Sequence, residues 1–172
     1  MKKNNLALNL SKTSIQLLSK GIKKSWYVLG SADPSSENLE NDLARLRQQA
    51  AALSTNKPIV DVLLPRELVL SQTVVIEDAF SVEYCKKVTA KRCGLNESDI
   101  LIAIGDSSTR STVPVAAIST NSISESRNFV KKAGFRPAKY IPSSKISGFK
   151  KSPVFFDDSA SKKLFDLESE PF

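Results

Sequence analysis

Histidine is absent from the 172 residues of the sequence. This excludes Ser-His-Asp and Cys-His catalysis as well as histidine metal sites, because each of them needs an imidazole. Cysteine is scarce: Cys85 and Cys93 stand eight residues apart and have no neighbouring pair of ligands. We expect two ordinary, partly buried thiols rather than a disulfide. No calcium-type loop rich in Asp is present, so we expect neither a metal site nor a cofactor.

Glycine is also scarce, with six residues, and none of them forms a GxGxxG or GxxxxGK[ST] pattern. Phosphate cradles need glycine because backbone N–H groups must approach the phosphate closely. The sequence therefore excludes a Walker-type NTPase. Weak anion candidates remain at Lys12, Thr13 and Ser14 and in the loop 105–109, although an ordinary turn explains both segments. Asp61 lies in an apolar strand pattern, where a strand-end hydrogen bond or solvent exposure is favoured over catalysis.

Long apolar runs are missing as well. No run approaches the roughly 20 residues of a membrane-spanning helix. The basic start, Met1 to Leu6, is not followed by an apolar stretch of signal-peptide length. We therefore expect a cytoplasmic protein without a membrane span.

Positive charge is in excess, with a formal net charge of +7. Such a balance can favour nucleic acid or an acidic membrane surface, and it is equally a property of a solvated protein surface. Few aromatic residues are interleaved with the Lys/Arg clusters, so no stacking platform for single strands is visible. Nucleic acid is therefore the less favoured partner.

Apolar periodicity predicts an α/β fold with a mixed sheet. In the first half, short turns separate three predicted strands, which indicates an antiparallel meander. Apolar residues then recur every three or four positions from Leu39 to Leu53, which is typical of an amphipathic helix. The following β-branched run predicts a strand parallel to an earlier one. These strands are residues 6–10, 14–19, 25–29 and 59–64.

The second half continues with strands 68–76, 99–104, 113–118 and 138–141, of which the middle two are expected to form a hairpin. A helix begins after Ser81 and ends near Gly94, and its predicted inward stripe is Val82, Cys85, Val88 and Thr89. The last helix is predicted to begin with a capping box of Ser122 and Glu125 and to end at Gly134.

From Ser143 onward the composition shifts to Ser, Lys, Gly and Asp, which predicts a weakly ordered tail over residues 143–172. Apolar residues in such a tail are candidate docking anchors for a protein partner. For Phe155 and Phe156 the alternative is that they fold back onto the domain. The predicted partner-binding residues are Tyr140, at the edge of the last strand, with Phe155, Phe156, Leu164 and Phe165.

The order of elements, with Leu6 to Ile15 at its head, resembles the actin-like (ribonuclease-H-like) fold. The stretch Gly134 to Pro142, GFRPAKYIP, is similar to a G-[FL]-x-P-x-x-x-x-P element. That element occurs in the bacterial actin-like adaptors known as the L-type protein of type II secretion and the assembly protein of type IV pili. The likeness is to their N-terminal half, and it extends to an alphaproteobacterial group with this layout.

The resemblance implies an actin-like domain over residues 1–142, with subdomains at 6–64 and 65–142, followed by the tail. In actin-like ATPases the first hairpin carries an Asp and a Gly-containing turn that hold Mg²⁺ and phosphate. Here the corresponding stretch, Asn9 to Thr13, has neither.

The favoured function is accordingly a non-catalytic adaptor for secretion or pilus assembly. Its implied partner is an inner-membrane assembly protein or a cytoplasmic ATPase. The alternatives are a basic nucleic-acid-binding module and a residual nucleotide binder.

Overall fold

The first three strands form the predicted meander. The computed structural model describes residues 5–23, 25–53, 57–106 and 111–157. Strand β1 (Leu6–Leu10) pairs antiparallel with β2 (Ile15–Lys20), and β2 pairs antiparallel with β3 (Trp26–Ala32). Leu6 and Leu8 of β1, with Ile15 and Leu17 of β2, are alternate residues that belong to the main core. One face of the meander therefore contributes to the core.

Helix α1 (Leu39–Ala51) connects the meander to β4 (Ile59–Leu64). Leu46 and Ala50 are its buried residues and Leu39 and Leu43 are partly buried, as the periodicity predicts. Leu53, predicted on the same face, lies beyond the end of the helix and is exposed. Strand β4 pairs parallel with β1, with Leu8 opposite Val62. The predicted parallel strand is therefore confirmed, and the helix supplies the crossover that parallel pairing needs.

A smaller antiparallel sheet follows, in the order β5 (Leu70–Val75), β7 (Thr112–Ser119), β6 (Ile100–Ile104). Strands β6 and β7 form the predicted hairpin. Helix α2 (Val82–Cys93) packs on this sheet and has the ends that the sequence indicates. The Ser81 hydroxyl accepts a hydrogen bond from the Tyr84 N–H at 3.2 Å, and Gly94 ends the helix with a φ of 69°.

Helix α3 (Thr120–Lys132) begins earlier than predicted, and the expected capping box is wrong. Ser119 is the N-cap, since its hydroxyl accepts from the Ser122 N–H at 3.1 Å. Glu125 instead accepts from the side chain of Asn121 at 3.2 Å. Both Ser119 and Ser122 are residue types that can cap a helix. Ser119 is the cap because β7 ends there and α3 begins at the next residue.

Strand β8 (Arg136–Pro142) returns to the larger sheet, whose order is β3-β2-β1-β4-β8. It pairs parallel with β4, so that Tyr140 lies opposite Val62. The predicted division at residues 64 and 65 therefore does not coincide with the two sheets, because the range 65–142 contributes strands to both of them. The small sheet with α2 is an insertion between β4 and the α3–β8 unit.

Residues 143–157, which we call the strap, are corrected from tail to folded segment. Within the strap, Ile146, Phe149 and Phe155 are buried in the main core. The N–H of Phe155 donates to the Tyr140 carbonyl at 2.8 Å, and the N–H of Tyr140 donates back at 2.9 Å. The backbone pairing of Phe155 with Tyr140 and the burial of the three strap residues attach the strap to the edge of β8. The Ser/Lys-rich composition of the strap does not indicate this attachment. Of the predicted tail, residues 158–172 lie outside the described part of the chain.

Candidate protein-docking surface

The turn between β1 and β2, proposed from sequence as a weak anion site, is closed by its own side chain. The Ser11 hydroxyl accepts from the N–H groups of Ser14 at 3.0 Å and Thr13 at 3.3 Å. The same hydroxyl donates to the Ser14 carbonyl at 2.9 Å. Lys12 and Thr13 are exposed and Ser14 is half-buried. Two N–H groups that an anion would need thus already have an acceptor within the turn.

Asn9 occupies the strand position that the resemblance assigns to an acidic residue of actin-like ATPases. It lies opposite Gln16 across the β1–β2 pair, and its Nδ2 donates to Gln16 Oε1 at 3.2 Å. An amide in this arrangement carries no charge for organising a metal-bound water. This strand end therefore does not show the chemistry of a hydrolytic site.

Three carboxylates of the described residues lie near a cation: Asp42 is paired with Arg45 on the same helix, and Asp61 and Asp157 are near cations that are distant in sequence. Asp61 is only 4% exposed, so solvent exposure is wrong for it, and its Oδ2 lies 4.0 Å from Lys139 Nζ. Asp157 Oδ2 accepts from Arg127 Nη1 at 2.6 Å. Within the described residues, no group of three or more His, Cys, Asp or Glu side chains is arranged to hold a metal ion.

The two thiols are both free. Cys85 is on the buried face of α2, and this burial raises the pKa of its thiol. A raised pKa lowers the fraction of reactive thiolate, so Cys85 has the properties of a packing residue rather than a nucleophile.

Two of the predicted partner-binding residues are removed from the surface. Tyr140 is 1% exposed and Phe155 is 2% exposed, because the strap covers the edge of β8. The prediction of surface contacts is therefore corrected for both of them, and the fold-back alternative holds for Phe155. Phe156 faces outward and is 43% exposed. The predicted anchors Leu164 and Phe165 lie outside the described residues.

Exposed apolar side chains are frequent in the stretch from the end of β5 to the first turn of α2. We call it the β5–α2 corner, and it comprises Val75, Phe80, Val82 and Tyr84. Each of the four is between 42% and 55% exposed. Val82 was predicted to lie on the inward stripe, but that stripe is buried only from Cys85 onward. Large apolar groups gathered on the surface mark sites of protein contact.

The same stretch is acidic although the whole chain is basic. Glu77, Asp78 and Glu83 are all exposed, and no Lys or Arg occurs between residues 75 and 85. The corner thus combines exposed apolar side chains with exposed acidic ones. The sequence contained a signal for it, because Phe80 stands in an acidic loop immediately before a helix cap, where core packing does not require an aromatic residue.

Side-chain hydrogen bonds fasten α2 to the small sheet and so hold the corner in place. Gln72 Nε2 on β5 donates to the buried Thr89 Oγ1 at 2.6 Å. Arg92 Nη1 donates to Gln72 Oε1 at 2.9 Å and to the Thr73 carbonyl at 3.2 Å. A pre-organised surface loses less conformational entropy on binding than a loose one.

No helix within the described ranges is both long and apolar enough to cross a membrane. No protein-family model matches the chain, and no curated protein matches it.

Solved structures do show similarity. One is the cytoplasmic domain of EpsL, an inner membrane component of the type II secretion system of Vibrio cholerae, with 17% identity and a TM-score of 0.58. The match covers 80% of this chain and 56% of that one. Another is the PilM-PilN type IV pilus biogenesis complex, with 12% identity, a TM-score of 0.54 and coverages of 80% and 47%. The chain shares the fold of these proteins.

The resemblance drawn from the sequence is thus confirmed at the level of the fold. The chain spans about half the length of these two matched chains. A Bacteroides thetaiotaomicron protein described as having an actin-like ATPase fold and unknown function matches with 12% identity, over 95% of this chain and 74% of that one. Its TM-score of 0.40 is too low to establish a common fold.

Proposed function

We propose that this chain is a non-catalytic cytoplasmic adaptor that recruits a protein partner to a secretion or pilus assembly. The observation that carries the proposal is the β5–α2 corner, where four large apolar side chains are exposed between the end of β5 and the first turn of α2. The described residues offer no comparable arrangement for catalysis. The shared fold with EpsL and PilM supports the kind of machine in which such an adaptor would act.

The acidic residues in the stretch of the corner indicate the chemistry of the partner. Glu77, Asp78 and Glu83 would face basic side chains across an interface, which improves specificity and the rate of encounter. The partner is therefore an inner-membrane assembly protein or a cytoplasmic ATPase that presents an apolar surface bordered by Lys and Arg. Phe156, on the strap, is a second exposed aromatic contact.

Binding of the purified chain to inner-membrane assembly proteins and to cytoplasmic assembly ATPases of secretion or pilus systems tests the proposal. The variants Phe80→Asp and Tyr84→Asp should each weaken binding at least about tenfold, which corresponds to about 1.4 kcal/mol, since an aromatic hot-spot residue contributes about 2 kcal/mol or more. The matched control is Val28→Asp on β3, because Val28 is 57% exposed but remote in sequence from the corner. Equal affinity of all three variants would rule out the corner as the docking surface.

The two alternative functions predict different results from the same purified chain. A nucleotide binder would gain thermal stability with Mg-ATP, by an amount that follows its affinity. A nucleic-acid-binding module would bind random DNA with an affinity that falls steeply with salt. The adaptor predicts no shift with Mg-ATP and only weak, salt-sensitive DNA binding that Phe80→Asp leaves unchanged.

A further inference from the structure

An open groove lies between helices α1 and α3. None of its lining residues belongs to the β5–α2 corner. Its volume is about 560 Å³, within the range of pockets that hold ligands or short peptide segments. Three large apolar side chains, Leu39, Leu43 and Phe129, form its apolar part. The remaining lining residues are Glu40, Asn41, Arg47, Lys132 and Ala133.

The charges at the groove favour an acidic occupant. Arg47 and Lys132 supply two cations against the single carboxylate of Glu40. Arg47 Nη1 also donates to the Ala133 carbonyl at 3.3 Å, which fixes the guanidinium at the end of α3. An apolar segment that also carries carboxylates would match both features of the groove.

The chain itself contains such a segment. Residues 164–170 read LFDLESE, with three large apolar residues, three acidic residues and no basic residue. The strap brings the chain to α3, because Asp157 is ion-paired with Arg127 at 2.6 Å. Leu164 is seven positions after Asp157, and an extended chain spans about 23 Å over seven residue steps.

That reach is sufficient. Arg127 and Lys132 are five residues apart on α3, or about 7.5 Å along the axis at 1.5 Å per residue. Passing half-way around a helix about 10 Å in diameter adds roughly 16 Å of path. The combined path is about 18 Å, which is shorter than the available linker. A segment tethered this closely has an effective concentration in the millimolar range, so modest contacts suffice to hold it.

We propose that residues 164–170 of this chain occupy the α1–α3 groove. Leu164 and Phe165 pack against the apolar side chains of the groove, and Asp166 and Glu168 face Arg47 and Lys132. The groove is then a self-docking site, and a partner with the same apolar and acidic pattern would have to displace the segment. This proposal is independent of the β5–α2 corner.

Disulfide trapping in the full-length chain tests the docking. In a Cys93→Ser background, with the buried Cys85 retained, the pair Asn41→Cys and Leu167→Cys, which keeps the anchors Leu164 and Phe165, should form an intramolecular disulfide on mild oxidation. The matched control replaces Asn41→Cys with Gln49→Cys, since Gln49 is an exposed amide on the same helix that does not line the groove. Disulfides need Cα atoms within about 7 Å, so we expect the first pair to react at least about tenfold faster.

Charge reversal provides the second readout. Arg47→Glu combined with Lys132→Glu should slow trapping of the Asn41→Cys pair by several-fold, as expected from the loss of two exposed ion pairs. Thermal melts monitored by circular dichroism confirm that each variant is folded. Equal rates for the two cysteine pairs would overturn the proposal. Disulfide-linked dimers in place of the intramolecular product would overturn it as well, since they would assign the groove to a second copy.

Discussion

At the scale of single residues, Tyr140 is the least compensated polar group in the described core. Its ring is buried against Val62 and the strap, yet its hydroxyl has no hydrogen-bond partner among the described residues. Burial raises the pKa of Tyr140 to about 12, the Asp157 carboxylate adds to the increase, and Arg127 opposes it. A buried hydroxyl without a partner costs about 1–3 kcal/mol.

Replacing Tyr140→Phe should therefore increase the free energy of unfolding at pH 7 by about 1 kcal/mol, because the desolvation penalty of the hydroxyl is removed while the ring is kept. Urea denaturation measures the change. A loss of more than about 1 kcal/mol in the variant would show that the hydroxyl is bonded in solution.

The same residue gives a signed pH dependence. The pKa of Tyr140 is higher in the folded state than its ordinary value of 10, so between pH 10 and about 12 the unfolded state loses the proton first. Folding stability therefore decreases with rising pH, by at most about 1.4 kcal/mol per pH unit in that window. The Tyr140→Phe variant lacks this contribution, so its profile should be flatter than the parent's. Parallel profiles would contradict the assignment.

For single residues, the sequence predicted features that depend on near neighbours in the chain, but it did not predict burial that depends on contacts between distant segments. Ser81 and Gly94 end α2 as predicted, because capping depends on groups a few residues away. Tyr140 was predicted to be a contact at the exposed edge of the last strand, and Phe155 to be either an anchor in a weakly ordered tail or folded back onto the domain. Their burial results from pairing between segments 15 residues apart, which no local pattern contains.

At the scale of elements, the N-terminus of α3 tests the correction of its cap. Ser119→Ala should cost about 1 kcal/mol of unfolding free energy, since its hydroxyl accepts the Ser122 N–H. Ser122→Ala keeps that acceptor and should cost clearly less, by the same chemical-denaturation assay. The reverse order would restore the capping box predicted from the sequence.

The strap offers a matched pair of adjacent phenylalanines. Phe155→Ala should destabilise the fold by about 3–5 kcal/mol, because it empties a fully buried aromatic position. Phe156→Ala, at a 43% exposed position, should cost less than about 1 kcal/mol. Thermal melts of the two variants measure the difference. Similar, small losses for both would return residues 143–157 to the status of a tail.

At the scale of the whole molecule, the two sheets are connected by the strap as well as by the chain between β4 and β8. The Asp106 N–H donates to the Gly148 carbonyl at 3.0 Å, and the Lys150 N–H donates to Asp106 Oδ2 at 3.0 Å. Gly148 also lies against Pro114 of the small sheet. These contacts join the strap to the end of β6 and the face of β7.

Substitutions at Gly94 and Gly148 distinguish the cost of backbone strain from the cost of crowding between the strap and Pro114. Gly148 has a φ of 86°, and a Cβ there would come within 2.6 Å of the Pro114 side chain, whereas Gly94 has a φ of 69° and open space. Gly94→Ala should cost about 1 kcal/mol through strain alone. Gly148→Ala should cost at least about 1 kcal/mol more, since Pro114 must move. Equal losses, measured by urea denaturation, would show that the strap does not press on the small sheet.

The overall arrangement was predictable only in part. The meander and the first parallel strand follow from short turns and one helical crossover. The return of β8 to β4 joins residues 59–64 to residues 136–142, across an inserted sheet. Apolar periodicity identifies each of these strands but does not state which neighbour it pairs with, so the predicted boundary at residues 64 and 65 does not separate the two sheets. The β5–α2 corner was missed because Val82 was assigned to the inward stripe of α2, and Val75 to a strand.

Hydrogen–deuterium exchange of the full-length chain, with and without its assembly partner, tests the adaptor account most directly. The account predicts that the partner slows exchange in residues 75–84, and that Mg-ATP leaves exchange in the β1–β2 turn, residues 11–14, unchanged. Protection of residues 11–14 by Mg-ATP, with no partner-dependent protection at 75–84, would contradict it.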